Sequence, residues 1–129
     1  MNKHKFRLKT DESLIVVECQ VEEDNFSVAL DTGASHTVMD LNVMLMLGFQ
    51  LKDAMRTVEF QTSKGVIEAF VFKTPFFSAL GLEKKDMEIC AYDFLGSGVV
   101  SDFDGVLGLD FFKKTDLFIS FKRFEIILS

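Results

Sequence analysis

The chain has 129 residues, 48% of them hydrophobic, with one Pro and eight Gly, a size that supports one domain spanning residues 1–129. Its net charge of −6 opposes attraction to phosphate backbones and argues against nucleic acid as a partner. The charged start MNKHKFRLKTDES holds no apolar signal segment, and no apolar run approaches the ~20 residues of a membrane span, so the expectation is a soluble cytoplasmic protein with no membrane partner.

In chain order, residues 14–21 (LIVVECQV) and 26–31 are β-rich runs, and the polar residues 22–25 between them predict a hairpin. A short strand follows at 37–39. Asp40 then caps a helix whose apolar positions Leu41, Met44, Leu45 and Leu47 follow 3.6 spacing, with Gly48 placed to end it. Strands at 56–62 and 66–73, separated by Ser63, Lys64 and Gly65, predict a second hairpin. Residues 87–94 form another strand, Gly96 and Gly98 open a loop, and Gly105 to Gly108 are a buried strand end. A brief helix at 110–114 leads to a last hairpin, 117–121 and 124–128, turning at Lys122 and Arg123. Many short strands with one or two small helices give an all-β, barrel-like fold.

Fifteen Phe residues are a heavy load. The pairs Phe76-Phe77 and Phe111-Phe112 are hard to bury entirely in so small a core, leaving either an oligomer interface or an ordinary Phe-rich interior. Cys19 and Cys90 lie inside strand-like segments and read as buried, reduced thiols. His4 and His36 have no Cys or second His at ligand spacing, so neither a metal site nor a cofactor is expected.

The stretch FSVALDTGASHTVMD, residues 26–40, places a carboxylate at the end of an apolar strand. There, beside backbone N–H groups that a glycine leaves uncovered, Asp31 is fixed in position and able to orient a water. One such group is insufficient where a carboxylate-held water is to hydrolyse a peptide bond, because that route needs a second carboxylate sharing a proton with the first, as two like charges about 3 Å apart cannot both ionise.

Asp31-Thr32-Gly33 after Ala29 and Leu30, Thr37-Val38-Met39 behind it, the hairpin at 56–73 and FDGVLGLDFF at 103–112 together resemble the retroviral-like (retropepsin) aspartic proteases, in a bacterial member. The resemblance covers most of the chain in the right order. It implies a closed, barrel-like acid protease fold and a homodimeric aspartic endopeptidase acting on a peptide or protein substrate. With a single Asp-Thr-Gly and about half the length of a two-lobed enzyme, the second acid is implied to be Asp31 of another copy across a C2 axis. By the same resemblance Thr32 hydrogen-bonds across the axis and Gly33 offers its amide toward acid and substrate. Ala34, Ser35 and His36 begin the substrate wall, and Ser63, Lys64 and Gly65 form the flap tip. Val106, Leu107 and Gly108 thread beside the Asp31 loop as structural neighbours.

Several residues keep a second reading. His36 also reads as a solvent-facing loop residue, since nothing in the sequence gives it a partner. Asp104 and Asp110 read as structural, Asp110 as a helix N-cap. The flap departs from the family pattern, with one glycine, a charge and no Tyr, the single Tyr being Tyr92. The terminal EIILS offers a strand for pairing between subunits. Alternatives to the enzyme are a non-catalytic dimerisation or peptide-binding module of the same fold and a small barrel for an apolar ligand.

Overall fold

A computed structural model describes residues 2–8, 14–62, 65–98 and 102–129, with the side chain of Thr62 outside the description. Eleven strands occur among them: β1 (Asn2–Lys5), β2 (Arg7–Leu8), β3 (Ile15–Val21), β4 (Asp24–Leu30), β5 (Val38–Asp40), β6 (Arg56–Thr62), β7 (Gly65–Ala79), β8 (Leu82–Tyr92), β9 (Gly105–Leu107), β10 (Leu117–Ser120) and β11 (Glu125–Leu128). The helix α1 (Leu41–Met46) and 3-10 turns at Leu51–Asp53 and Leu109–Phe112 complete the order.

The larger sheet runs β2-β3-β4-β9-β5-β8-β7-β6, and a further β3–β7 pairing joins its ends into a ring. The fold is therefore all-β and closed through β3-β4-β9-β5-β8-β7, with β2 and β6 standing off the ring. Antiparallel hairpins build most of it, but β9 lies parallel to β4 and β5 lies parallel to β8. A separate three-stranded sheet is ordered β1-β11-β10.

Local sequence explains these elements. Strand β3 buries Ile15, Val17, Cys19 and Val21 at alternate positions, as a sheet with one face on the core demands. In β4, Val28, Ala29 and Leu30 are all buried, which accounts for the unbroken apolar run before Asp31. The β3–β4 turn is tighter than the polar run 22–25 suggests: only Glu22 and Glu23 turn, Glu22 at φ 55°, and Val21 pairs with Asp24. Asp40 caps α1, its side chain accepting from the Asn42 amide at 3.3 Å, and Gly48 follows at φ 102°. The helix buries Val43 and Met44, whereas Leu45, expected on the apolar face, is exposed.

Strand β7 continues past Pro75 to Ala79, beyond the expected end at Lys73, and β8 begins at Leu82 rather than Met87. Pro75 is tolerated because β7 changes neighbours there: β6 pairs only as far as Val71 and β3 begins at Phe77. On the other side, the β7–β8 register passes from Thr74↔Met87 to Phe76↔Lys85, with the intervening Asp86 at φ 55°.

The interior is aromatic. Phe72, Phe77 and Phe111 are fully buried, with Phe77 and Phe111 rings 5.6 Å apart and Phe112 5.2 Å from Phe111. Phe111 and Phe112 are thus both accommodated inside, which is the Phe-rich interior of the two alternatives for this pair. The exposed aromatics are instead Phe118, Phe121 and Phe124. The terminal segment EIILS, offered by the sequence as a strand for pairing between subunits, is paired within the chain. Strand β11 is the middle strand of its sheet, with β1 on one side and β10 on the other, so both of its ladders are occupied within the chain.

Cys19 and Cys90 are free and buried, and burial pushes their thiols up to about 12 and about 11 from an ordinary 9.0. In the unfolded chain both thiols ionise first, so this source of stability is intact below pH 9.0 and fades as pH climbs toward those folded values. The urea midpoint is expected to fall across that window, and less so in Cys19→Ala; an unchanged midpoint would contradict the burial argument. Thr74 is fully buried and its Oγ1 has no hydrogen-bond partner. Thr74→Val, of like shape, is expected to gain about 1 kcal/mol in urea unfolding.

Candidate active site

The loop of residues 31–37 leaves the ring at the end of β4 and returns as β5. Strand β9 lies between these two, paired to β4 through Val28↔Gly105, Ala29↔Val106 and Leu30↔Leu107 and to β5 through Val38↔Val106. The ladder continues into the loop, where the Asp31 amide donates to Leu107 O at 3.0 Å. Asp31 is thereby anchored by its backbone while its side chain is exposed.

The carboxylate is held from below. The Gly33 amide donates to Asp31 Oδ1 at 2.8 Å, and the Ala34 amide closes the turn on Asp31 O at 3.1 Å. A Cβ at Gly33 would stand 3.1 Å from Asp31 Oδ1, tight enough to disturb that bond. A fixed, solvent-facing acid with its second oxygen outward is equipped to hold and polarise a water. Thr32 is exposed beside it.

The loop's far end is pinned by a polar cluster that sequence reasoning did not assemble. Thr37 is fully buried. Its amide and its hydroxyl both donate to Asp110 Oδ1, at 2.9 and 2.7 Å, and its Oγ1 accepts from the Gly108 amide at 3.1 Å. Leu109 N donates to Ala34 O at 2.8 Å and Cys90 N to Thr37 O at 3.1 Å. Asp110 is therefore not the N-cap of the 3-10 turn, which begins at Gly108 without a side-chain cap; its carboxylate serves Thr37 instead. Asp104 ties β4 and β5 from the other end of β9, its amide donating to Ser27 O and its carbonyl accepting from Asp40 N, each at 2.7 Å. Gly108 is required by space: a Cβ there would lie 2.5 Å from His36 O and 2.9 Å from Ala34 O.

Ser35 and His36 sit on the exposed rim, with Ser35 Oγ 2.9 Å from His36 Nδ1. His36 has a partner the sequence did not disclose: its ring meets Phe60 of β6 edge-on at 6.1 Å, and Phe60 leads on to Tyr92 at 6.5 Å and Phe94 at 4.8 Å from Tyr92. Thus the single Tyr, absent from the hairpin, packs against it. Burial of the Tyr92 hydroxyl, with the Asp40 carboxylate second, raises its pKa. Of the expected flap tip, Gly65 stands at φ 115°, while Ser63 and Lys64 lie outside the described residues.

A cavity of about 370 Å³ opens behind His36, between Val58 and Val71 of the hairpin, Cys90, and the charged groups Arg56, Glu88, Asp110 and Lys113. Asp31 is not in its lining, so this hollow is separate from the acid. Among the described residues no group of three or more His, Cys, Asp and Glu stands close enough to hold a metal ion.

Removing the Asp110 acceptor leaves two buried Thr37 donors unpaired, so Asp110→Ala is expected to cost about 2–4 kcal/mol in chemical unfolding. Asp110→Asn keeps an oxygen in place and is expected to lose about 1 kcal/mol. Equal losses would show that packing, not hydrogen bonding, holds the loop.

Three comparisons bear on this arrangement. No curated protein matches the sequence. Among solved structures, a retropepsin-like aspartic protease from Rickettsia conorii superposes with a TM-score of 0.74 at 18% identity, covering 100% of this chain and 99% of that one, which shows a shared fold. The sequence profile of the aspartyl protease family matches residues 17–111, from β3 through the Asp31 loop to the segment that pins it. On that match over most of its length, the chain belongs to the aspartyl protease family and has the retropepsin-like fold.

Proposed function

We propose that the protein is an aspartic endopeptidase whose catalytic centre is completed by a second copy. The observation that carries this reading is the exposed Asp31 carboxylate, anchored through its own amide and oriented by the Gly33 amide, on a loop with only one such acid. Family membership supports hydrolase chemistry. The whole chain acts as one retropepsin-like domain in this reading.

A C2 pair brings two Asp31 side chains to one axis, where they share a proton. The ionised carboxylate takes a proton from the bound water as its oxygen attacks the peptide carbon, and the protonated partner donates to the carbonyl oxygen. Collapse of the resulting diol breaks the C–N bond, with a proton passed to the leaving nitrogen. Titration belongs to the pair rather than to either residue.

Thr32, exposed at the loop crest, meets the other copy's loop in this arrangement. Ala34, Ser35 and His36 line the substrate, an extended segment laid beneath the hairpin tips at 63–65 as an added strand. Because β11 is occupied on both edges, pairing of the copies does not run through that strand. Among the described residues, the edges of β1 and β10 that face away from it carry no partner strand in the sheet.

Asp31→Asn is expected to abolish cleavage of a peptide library, a loss of at least about 10³-fold, with folding and solution mass retained. A 1:1 mixture of wild-type and Asp31→Asn chains is expected to lose activity as mixed pairs form. Unchanged turnover in the variant would refute the assignment of Asp31. An acid-weighted, bell-shaped rate profile is the accompanying signature.

A further inference from the structure

We propose that the β10–β11 hairpin tip, together with the basic strand beside it, is a docking surface for an anionic phospholipid bilayer. The chain is acidic, with 14 Lys and Arg against 20 Asp and Glu. A local group of its cations nevertheless stands at this end. Five of the 14 belong to it: Phe121, Lys122, Arg123 and Phe124 are four consecutive exposed residues at the turn, and Lys3, Lys5 and Arg7 are exposed at alternate positions of the adjoining β1 and β2. Contacts tie the two segments together: Lys5 Nζ donates to Arg123 O at 3.2 Å and Phe6 N donates to Phe124 O at 3.0 Å. The acid paired within the cluster is Glu125, 3.6 Å from Lys5, and Glu18 lies in the neighbouring groove with Lys5 and Arg7.

The tip is presented rigidly. Phe6, itself buried, packs edge-on against Phe121 at 6.0 Å and against Phe124 at 5.8 Å, and the Arg123 amide donates to Ser120 Oγ at 3.1 Å. Phe124 is held at φ 52°, an unfavourable conformation for a bulky residue. Even so, Phe121 remains 59% and Phe124 46% exposed, with Phe118 58% exposed on β10 behind them. Burial of these rings within the chain does not account for that arrangement.

Two apolar rings bracketing two cations within one turn match the layered chemistry of a bilayer surface, with rings at the acyl boundary and cations among anionic headgroups. Single-stranded nucleic acid prefers rings stacked in a row for successive bases. Here Phe121 and Phe124 each pack against the buried Phe6, at 82° and 59°. The net charge of −6 leaves the chain as a whole without a general attraction to such a membrane, so binding has to come from a local patch.

The test is co-sedimentation of the full chain with sucrose-loaded vesicles of phosphatidylcholine alone or doped with phosphatidylserine, and it needs no proteolysis. The chain is expected to pellet with the doped vesicles only and to be released by added salt. Lys122→Glu with Arg123→Glu is expected to lower partitioning by at least about 30-fold, and Phe121→Ser by about tenfold or more. If Phe121→Ser fails to fold, the charge-reversal pair, both exposed, decides the matter. Equal pelleting with both vesicles, indifference to charge reversal, displacement by a short single-stranded oligonucleotide, or a change in the free chain's mass on charge reversal would each overturn the proposal, the last because a second copy would then cover the tip.

Discussion

Everything in the candidate site depends on how β9 is threaded between β4 and β5. It pairs parallel to one and antiparallel to the other, and its last residues run on beneath the loop that joins them. The Thr37 hydroxyl is the hub of that contact, giving its proton to Asp110 and taking one from the Gly108 amide. At a fully buried position each of those groups must be paired, because an orphaned donor costs far more than a satisfied one returns. The result is a loop whose two ends are tied to one short segment. Its crest, carrying Asp31, is left facing solvent.

That arrangement resolves why an acidic residue ends a buried strand. The three preceding side chains, Val28, Ala29 and Leu30, are inside, and the exit from the sheet begins at Asp31. The backbone stays in the ladder through the bond to Leu107, while the side chain turns out and is braced by Gly33. Glycine is needed at 33 and 108 for different reasons: one leaves room for a carboxylate, the other for the carbonyls of Ala34 and His36. Neither depends on a left-handed backbone. A carboxylate held in this way is fixed in place, and among the described residues no second acid is built on a loop of the same construction.

The aromatic residues divide by role. Phe72, Phe77 and Phe111 fill the ring, and Phe60 reaches from the hairpin onto His36, so the Asp31 loop and the hairpin are in direct contact. Phe121 and Phe124 stay outside, pinned to Phe6 at a basic end of an otherwise acidic molecule. The thiols of Cys19 and Cys90 belong to the interior, where burial keeps them protonated.

The amino-acid order by itself determined the elements that rest on local chemistry. Alternation in β3, the Asp40 cap, the Gly48 stop and the Asp-Thr-Gly turn after an apolar run were all legible, because each is decided within a few residues of itself. The tertiary structure alone decided the rest. Pro75 lies inside a strand because β7 changes partners there, and Asp110 serves Thr37 because residues 73 apart in sequence meet behind the loop. His36 gained Phe60, the terminal strand lost its free edges to β1 and β10, and cations from both chain ends converged, all through long-range pairing. Periodicity and propensity report which face of an element is apolar, but they carry no information about which distant segment will cover it.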